Sequence, residues 1–146
     1  MEGKRIHEDS FFLFEALTKE KGMAVSNVHS VRYYETSNSV SRAVFSDRFL
    51  DILYFADRKL QIAQEKYPEF EKEARNMLVK ANMALLKAMP SDVKNQYSHV
   101  EAKCLQVVRS NARYFVPAIR MDKILFLFIR LRLFWLYKRI YRLLRR

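Results

Sequence analysis

Two adjacent carboxylates, Glu8 and Asp9, stand directly before a run of large apolar residues in the stretch RIHEDSFFLFEAL. A carboxylate is a side chain that can take a proton from a reacting group. A negative charge in the first turn of a helix also stabilises the macrodipole, by roughly 0.3 to 1 kcal/mol. The residues alone therefore support two interpretations of this pair, one chemical and one structural.

The histidines and the cysteine of the chain are not spaced like the residues of a metal site. His7, His29 and His99 are too scattered to predict a zinc site, so surface or packing roles are expected for them. Cys104 is the single cysteine and has no Cys or His partner at metal-ligand spacing. It is predicted to be a small core residue in a reducing compartment. The charged and polar N-terminus, through Asp9, is unlike a secretory signal peptide, and no export is expected.

The composition predicts one domain that is mainly helical. At 146 residues the chain can bury its own core, and 50% hydrophobic residues exclude a disordered protein. The chain contains 2 glycines and 3 prolines, too few for the frequent tight turns of an all-β fold. We therefore expect a fold of mainly α class.

The first part of the chain, residues 1–45, is predicted to form one helix and two short strands. The helix follows the acidic pair and ends near Gly22, where lysines precede a glycine. Segments rich in β-branched and aromatic residues predict strands over 23–28 and 30–35, before a polar loop over 36–39.

Residues 46–116 are predicted to form three amphipathic helices in an antiparallel helical subdomain. The first begins near Ser46, a possible N-cap, and the second begins at Pro68. Pro90 breaks the pattern, and the third helix is expected to run to about Phe115, with Cys104 on its inner face.

Residues 117–146 carry most of the positive charge. They hold nine basic residues and one acidic residue, so that +8 of the chain's net charge of +11 lies there. A single helix from about Met121 would place six apolar residues, spaced 3, 4, 3, 4 and 3, on one charge-free face. These residues are Phe126, Ile129, Leu133, Leu136, Ile140 and Leu143.

This segment is predicted to lie on an anionic membrane surface. Its longest uncharged run is six residues, from Ile124 to Ile129, against the roughly 18 to 20 needed to cross a bilayer. Trp135 suits the interface, and the basic side chains suit anionic lipid. The basic members of this expected membrane site are Arg130, Arg132, Lys138, Arg139 and Arg142. Packing against the protein's own helices or a second copy is the alternative, and a nucleic-acid partner is not expected because no base-reading motif is present.

Two stretches together resemble a known enzyme family. The first is EGKRIHEDSFFLFEAL, and the second, after a short β segment, is YYETSNSVSRAVFSDRFLDIL. Their order resembles the C-terminal part of the family 2 glycosyltransferases, bacterial inverting enzymes of GT-A fold that build surface polysaccharides. The matching positions are Gly3, Glu8, Asp9, Phe12, Tyr33, Tyr34, Ser39, Val40, Arg42, Phe45 and Ser46. The resemblance covers about residues 2–65.

The resemblance implies a role for each carboxylate. Asp9 would be the general base that deprotonates the acceptor hydroxyl, and Glu8 would orient the site or contact the acceptor. Many relatives have an arginine shortly after the tyrosine pair to meet the nucleotide phosphates. Here Glu35 and Thr36 follow, with Arg32 and Arg42 nearby, so no cofactor-binding residue is assigned.

The resemblance also implies a missing donor half. Complete family members hold Mg²⁺ or Mn²⁺ on an Asp-x-Asp motif, which does not occur in this chain, so no metal site is expected in it. The expected function is that of a C-terminal fragment or split half of a glycosyltransferase. The isolated chain would be inactive and would lie on the cytoplasmic face of the cell membrane. A complementary N-terminal half would be its partner, and a nucleotide sugar would bind only when that half is present. The alternative is a small, non-catalytic, membrane-associated helical protein.

Overall fold

The structure is a computed structural model that describes residues 8–20, 45–90 and 96–144, with Leu144 described in its backbone alone. These residues form six α-helices and no strand. The expectation of a mainly α fold is confirmed. The strands predicted over 23–28 and 30–35, the loop over 36–39 and the tyrosine pair lie outside the described residues.

Helices α1 to α3 occupy the first half of the described chain. Helix α1 spans Glu8–Lys19, α2 spans Asp51–Lys66 and α3 spans Glu71–Ala88. A short 3₁₀ helix, Asp47–Leu50, leads into α2, and another, Pro68–Phe70, leads into α3. Ser46 precedes the first of these in extended conformation, at the predicted N-cap position, but its side chain makes no capping hydrogen bond.

Two prolines punctuate the helices as the sequence predicts. Tyr67, before Pro68, leaves helical geometry, and Met89, before Pro90, is extended with ψ of 124°. The ring of a proline clashes with a helical residue in front of it, which accounts for both endings. Pro68 itself stands in the first turn that follows, where its missing N–H costs no hydrogen bond.

Helices α4 to α6 complete the described chain. Helix α4 spans Ser98–Ser110 and is followed by a 3₁₀ helix, Ala112–Tyr114. Helix α5 spans Arg120–Arg130 and α6 spans Phe134–Leu144. The third predicted helix is therefore shorter than expected, because Asn111 ends it by donating its side-chain N–H to the carbonyl of Val107 at 3.0 Å.

One apolar core joins α3 to the last three helices. Helix α2 packs along α3, α3 along α4, and α5 against α4 and α6. Its fully buried members come from α3, α4 and α5: Val79, Met83, Leu85, Cys104, Val108, Leu125 and Ile129. Burying one such side chain stabilises the fold by about 1.5 to 3 kcal/mol. The prediction that Cys104 is a core residue is confirmed.

The predicted single C-terminal helix is wrong. The segment is broken at Leu131–Leu133 into α5 and α6, and Arg132 has a positive φ of 61° at the break. In one continuous helix, Phe134 would lie about 140° around the axis from Ile129. The break instead lets Phe134 and Tyr137 enter the same core as Leu125 and Ile129.

Candidate functional site

Glu8 and Asp9 occupy the first turn of α1, and both side chains are exposed to solvent. The Asp9 carboxylate accepts a hydrogen bond from the backbone N–H of Ser10 at 2.7 Å. The predicted position at a helix start is confirmed. The pair is thus open to a substrate and is also placed where a negative charge stabilises the helix.

Contacts at both ends of α1 hold it against α2. Near the N-terminus, the buried rings of Phe11 and Phe55 lie with their centroids 5.3 Å apart. Near the C-terminus, the Tyr67 hydroxyl donates to the carbonyl of Thr18 at 2.7 Å. Asp9 lies two residues from Phe11, so this anchoring fixes where the acidic pair is presented.

A buried lysine lies beside the acidic pair and was not found from the sequence. Lys59 Nζ donates a hydrogen bond to Ser10 Oγ at 2.7 Å, and the residue is almost fully buried. Burial lowers the pKa of Lys59, and the negative charge of Asp9 partly opposes that change. The signal that could have indicated its burial is a spacing of four residues. Helix α2 buries four residues at this spacing: Asp51, Phe55, Lys59 and Ala63.

A cavity of about 290 Å³ opens next to this lysine, between α2 and α3. Its walls are mainly apolar, with two amines and one hydroxyl. The lining residues are Ser10, Ile52, Phe55, Ala56, Lys59, Met77, Lys80, Ala81 and Ala84. Glu8 and Asp9 are not among them, although Ser10 follows Asp9 directly. The charge of Asp9 nevertheless acts on Lys59 in the cavity wall, where it raises the pKa that burial lowers.

The divalent metal of the resembled family does not fit the described residues. No three His, Cys, Asp or Glu side chains come together in residues 8–20, 45–90 and 96–144 in a way that could hold a metal ion. No step through a metal is derived for this chain.

The residues predicted to face a membrane are divided between the core and the surface. Ile129 is completely buried, and Phe126 stacks on Phe115 with ring centroids 4.3 Å apart. Leu133 and Leu136 are half-buried, whereas Ile140 and Leu143 are exposed. Packing against the protein's own helices therefore takes up part of the predicted face.

The predicted basic residues are divided in the same way. Arg130, Arg132, Arg139 and Arg142 are exposed. Lys138 is half-buried and donates to Glu101 Oε2 at 2.8 Å, which joins α6 to α4. This lysine serves the packing of the helices rather than an outer surface.

A second apolar stripe on α5 was missed by the sequence analysis. Met121, Ile124, Leu127 and Leu131 are all exposed, at spacings of 3, 3 and 4. Helix α5 is thus apolar on two sides, because Leu125 and Ile129 face the core while this stripe faces away from it. Trp135 is exposed on α6, as expected for an interfacial residue. No helix within the described ranges has both the length and the apolar character to cross a bilayer.

No protein-family model matches the chain, and neither a curated protein nor a solved structure is significantly similar to it.

Proposed function

We propose that this chain is the C-terminal, acceptor-side part of a family 2 glycosyltransferase. In this proposal, Asp9 removes the proton from an acceptor hydroxyl as that oxygen attacks the anomeric carbon of a nucleotide sugar, and the bond from that carbon to the phosphate oxygen breaks, so that the nucleoside diphosphate leaves with the electron pair. The donor would be held by a complementary half outside these 146 residues. The observation that supports it is the presentation of Asp9, exposed and one residue before Ser10 of the cavity wall, on a helix anchored through Phe11 and Phe55.

The neighbourhood of Asp9 is compatible with this chemistry. A base must stay accessible to the hydroxyl it deprotonates, and Asp9 is exposed. The nearby Lys59 ammonium, which donates to the Ser10 hydroxyl, and that hydroxyl can donate hydrogen bonds to acceptor oxygens. Glu8, one residue earlier in the same turn, would contact or orient the acceptor.

The test is sugar transfer by the chain together with the product of the reading frame immediately upstream in the DNA. The probes are labelled UDP-sugars with Mg²⁺ or Mn²⁺. The variant Asp9→Asn is expected to abolish transfer, while Glu20→Gln, an exposed carboxylate just past the other end of α1, retains it. Unrelated upstream sequence, or full transfer by Asp9→Asn, would refute the proposal. Calorimetry on the isolated chain is expected to give no heat of UDP-sugar binding; a measurable heat would show that the donor site is not missing.

The second candidate function is attachment to the cytoplasmic face of an anionic membrane through α5 and α6. It is favoured by the exposed apolar stripe on α5. Two basic residues of the same helix, Lys123 and Arg130, are also exposed. Trp135 and Leu143 add exposed apolar area on α6, beside Arg139 and Arg142. Each basic residue near such a surface contributes about 1 kcal/mol of attraction to anionic lipid, and buried apolar area adds to it.

Liposome sedimentation separates this candidate from self-association. The chain is expected to sediment with anionic vesicles and not with neutral ones, and added salt should weaken the binding. A chain that stays in the supernatant with anionic vesicles, and forms dimers in sedimentation velocity, would favour a second copy of the chain as the occupant of the α5 stripe.

A further inference from the structure

Four arginines from separate parts of the chain line a single concavity of about 520 Å³. Arg109 comes from the last turn of α4 and Arg113 from the 3₁₀ helix that follows it. Arg130 comes from the last turn of α5, and Arg132 from the break between α5 and α6. The remaining lining residues are Ser110 and Ala112, so no carboxylate lines this arginine site.

Two of the four guanidinium groups are held in position by the fold. Arg109 Nε donates to the carbonyl of Ile129 at 3.0 Å, which connects the end of α4 to the end of α5. Arg113 donates to the Tyr114 hydroxyl at 2.6 Å, and its guanidinium lies 4.7 Å from the centre of that ring. Such fixing lowers the entropy lost when an anion is bound.

The break between α5 and α6 supplies the fourth arginine. Arg132 adopts the left-handed conformation, with φ of 61°, at a position where glycine or asparagine is the usual residue. This conformation costs roughly 1 to 2 kcal/mol for other residues. It places Arg132 on the arginine site rather than on the far side of a continuous helix.

The charge on the arginine site is poorly balanced by the protein. None of its four arginines forms an ion pair with a carboxylate in the described parts of the chain. Glu71 is a carboxylate that interacts with the charge of one site arginine: its pKa is lowered first by hydrogen bonds from Gln64 and Arg75, and also by the charges of Arg75 and Arg113. Glu71 is thus already committed to Arg75, at 2.7 Å. A multiply charged anion would relieve the mutual repulsion of the guanidiniums.

We propose that the arginine site binds a phosphomonoester or a terminal diphosphate group, whose end phosphate is a dianion, unlike the diphosphate of a UDP-sugar, which is esterified at both ends. Guanidinium forks match the oxygens of phosphate and can form paired hydrogen bonds with them. A dianion suits four clustered positive charges better than a single carboxylate does. A nucleic-acid strand fits less well, because the ring of Tyr114 is already covered by Arg75 at 5.1 Å and by Arg113, and is not free to stack on a base. The proposal is independent of the transferase function.

Calorimetry with inorganic pyrophosphate tests the site in solution. The double variant Arg113→Gln with Arg130→Gln should bind pyrophosphate at least about tenfold more weakly, since two charge-assisted interactions are removed. Arg58→Gln removes one exposed positive charge on α2, and the pair Arg48→Gln with Arg58→Gln matches the full change in charge; both controls should retain binding. Arg113→Lys with Arg130→Lys keeps the charge and the fold, and should still lose affinity because the forks are gone.

Vesicles distinguish a soluble phosphate from a lipid headgroup. Phosphatidylcholine vesicles containing phosphatidic acid present a phosphomonoester, and those containing phosphatidylglycerol present a diester. If the ligand is a lipid headgroup, the chain binds the first more tightly, and the two site variants remove this preference. If the ligand is soluble, pyrophosphate binds and no preference between vesicles appears. The proposal is overturned if the wild-type chain shows neither behaviour, if the controls lose as much as the site variants, or if a DNA duplex alone binds at the site.

Discussion

The rings of Phe11 and Phe55 lie with centroids 5.3 Å apart and a tilt of 33°, and both side chains are 2% exposed. This contact attaches α1, and with it the acidic pair, to the helical core. The neighbouring Phe12 is 73% exposed, so two adjacent phenylalanines have opposite environments. That contrast gives a matched test of how α1 is held.

Phe11→Ala is expected to lower the free energy of unfolding of α1 by about 3 to 5 kcal/mol, because it removes a fully buried ring and leaves a cavity. Phe12→Ala should change it by less than about 0.5 kcal/mol. Native-state hydrogen exchange at the α1 amides is the measurement, since it detects α1 even if the helix opens without global unfolding. Equal effects of the two substitutions would show that α1 is not anchored through Phe11.

The thiol of Cys104 gives a second prediction. Burial raises its pKa to about 12, and the side chain is inaccessible in the core between α3, α4 and α5. Since the thiolate is the reactive form, modification by a disulfide reagent should be very slow in the native chain even at pH 9. The single cysteine makes the readout specific. In urea the thiol should react at the rate of a free cysteine; fast reaction without denaturant would contradict the buried position.

The helices could be predicted from the sequence, but the break at Leu131–Leu133 could not. The apolar spacing of three and four continues through Ile129, Leu133 and Leu136, and neither glycine nor proline marks the interruption. What breaks the helix is tertiary: Phe134 and Tyr137 gain burial in the core that already holds Ile129. The gain from two large side chains outweighs one residue at positive φ, and a local pattern does not contain that comparison.

The buried face of α2 illustrates the same limit at the candidate site. The spacing of Phe49, Leu53 and Leu60, at intervals of four and seven, predicts a helix here, yet the most buried aromatic of α2 is Phe55, because α1 covers that side. Lys59 lies one turn further along this covered face and so became part of the site. The acidic pair was found because its signal is local, whereas Lys59 depends on a contact 49 residues away in sequence.

The lowered pKa of Lys59 gives a prediction of pH dependence. At neutral pH the charged Lys59 amine lowers the free energy of unfolding, since burial disfavours the charge more than Asp9 favours it. As the pH rises from the lowered folded pKa towards 10.5, the folded state loses the proton first, so this destabilisation is relieved and relative stability increases. Lys59→Met is therefore expected to be more stable than wild type at pH 7, on the order of 1 kcal/mol, with a smaller difference near pH 10.

Urea unfolding followed by circular dichroism at the two pH values measures this difference. Lys66 is an exposed lysine at the end of the same helix, so Lys66→Met is the control. It should change the free energy of unfolding by the same small amount at both pH values. A Lys59→Met variant less stable than wild type at pH 7 would mean that its hydrogen bond to Ser10 outweighs the burial of the charge.

Trp135 is the single tryptophan and is 61% exposed, which makes it a reporter for membrane attachment. Its fluorescence is expected to shift to shorter wavelength with phosphatidylglycerol vesicles and to stay unchanged with phosphatidylcholine vesicles, because the indole enters the interface only when the arginines are attracted there. The double variant Leu127→Gln with Leu131→Gln should weaken the shift, since it removes apolar area from the exposed stripe on α5. These leucines are 53% and 57% exposed, and Leu13 on α1 is 57% exposed, so Leu13→Gln is a matched control that should leave the shift intact. If the shift is the same in all three proteins, α5 does not contact the membrane, and attachment through the α5 stripe is refuted.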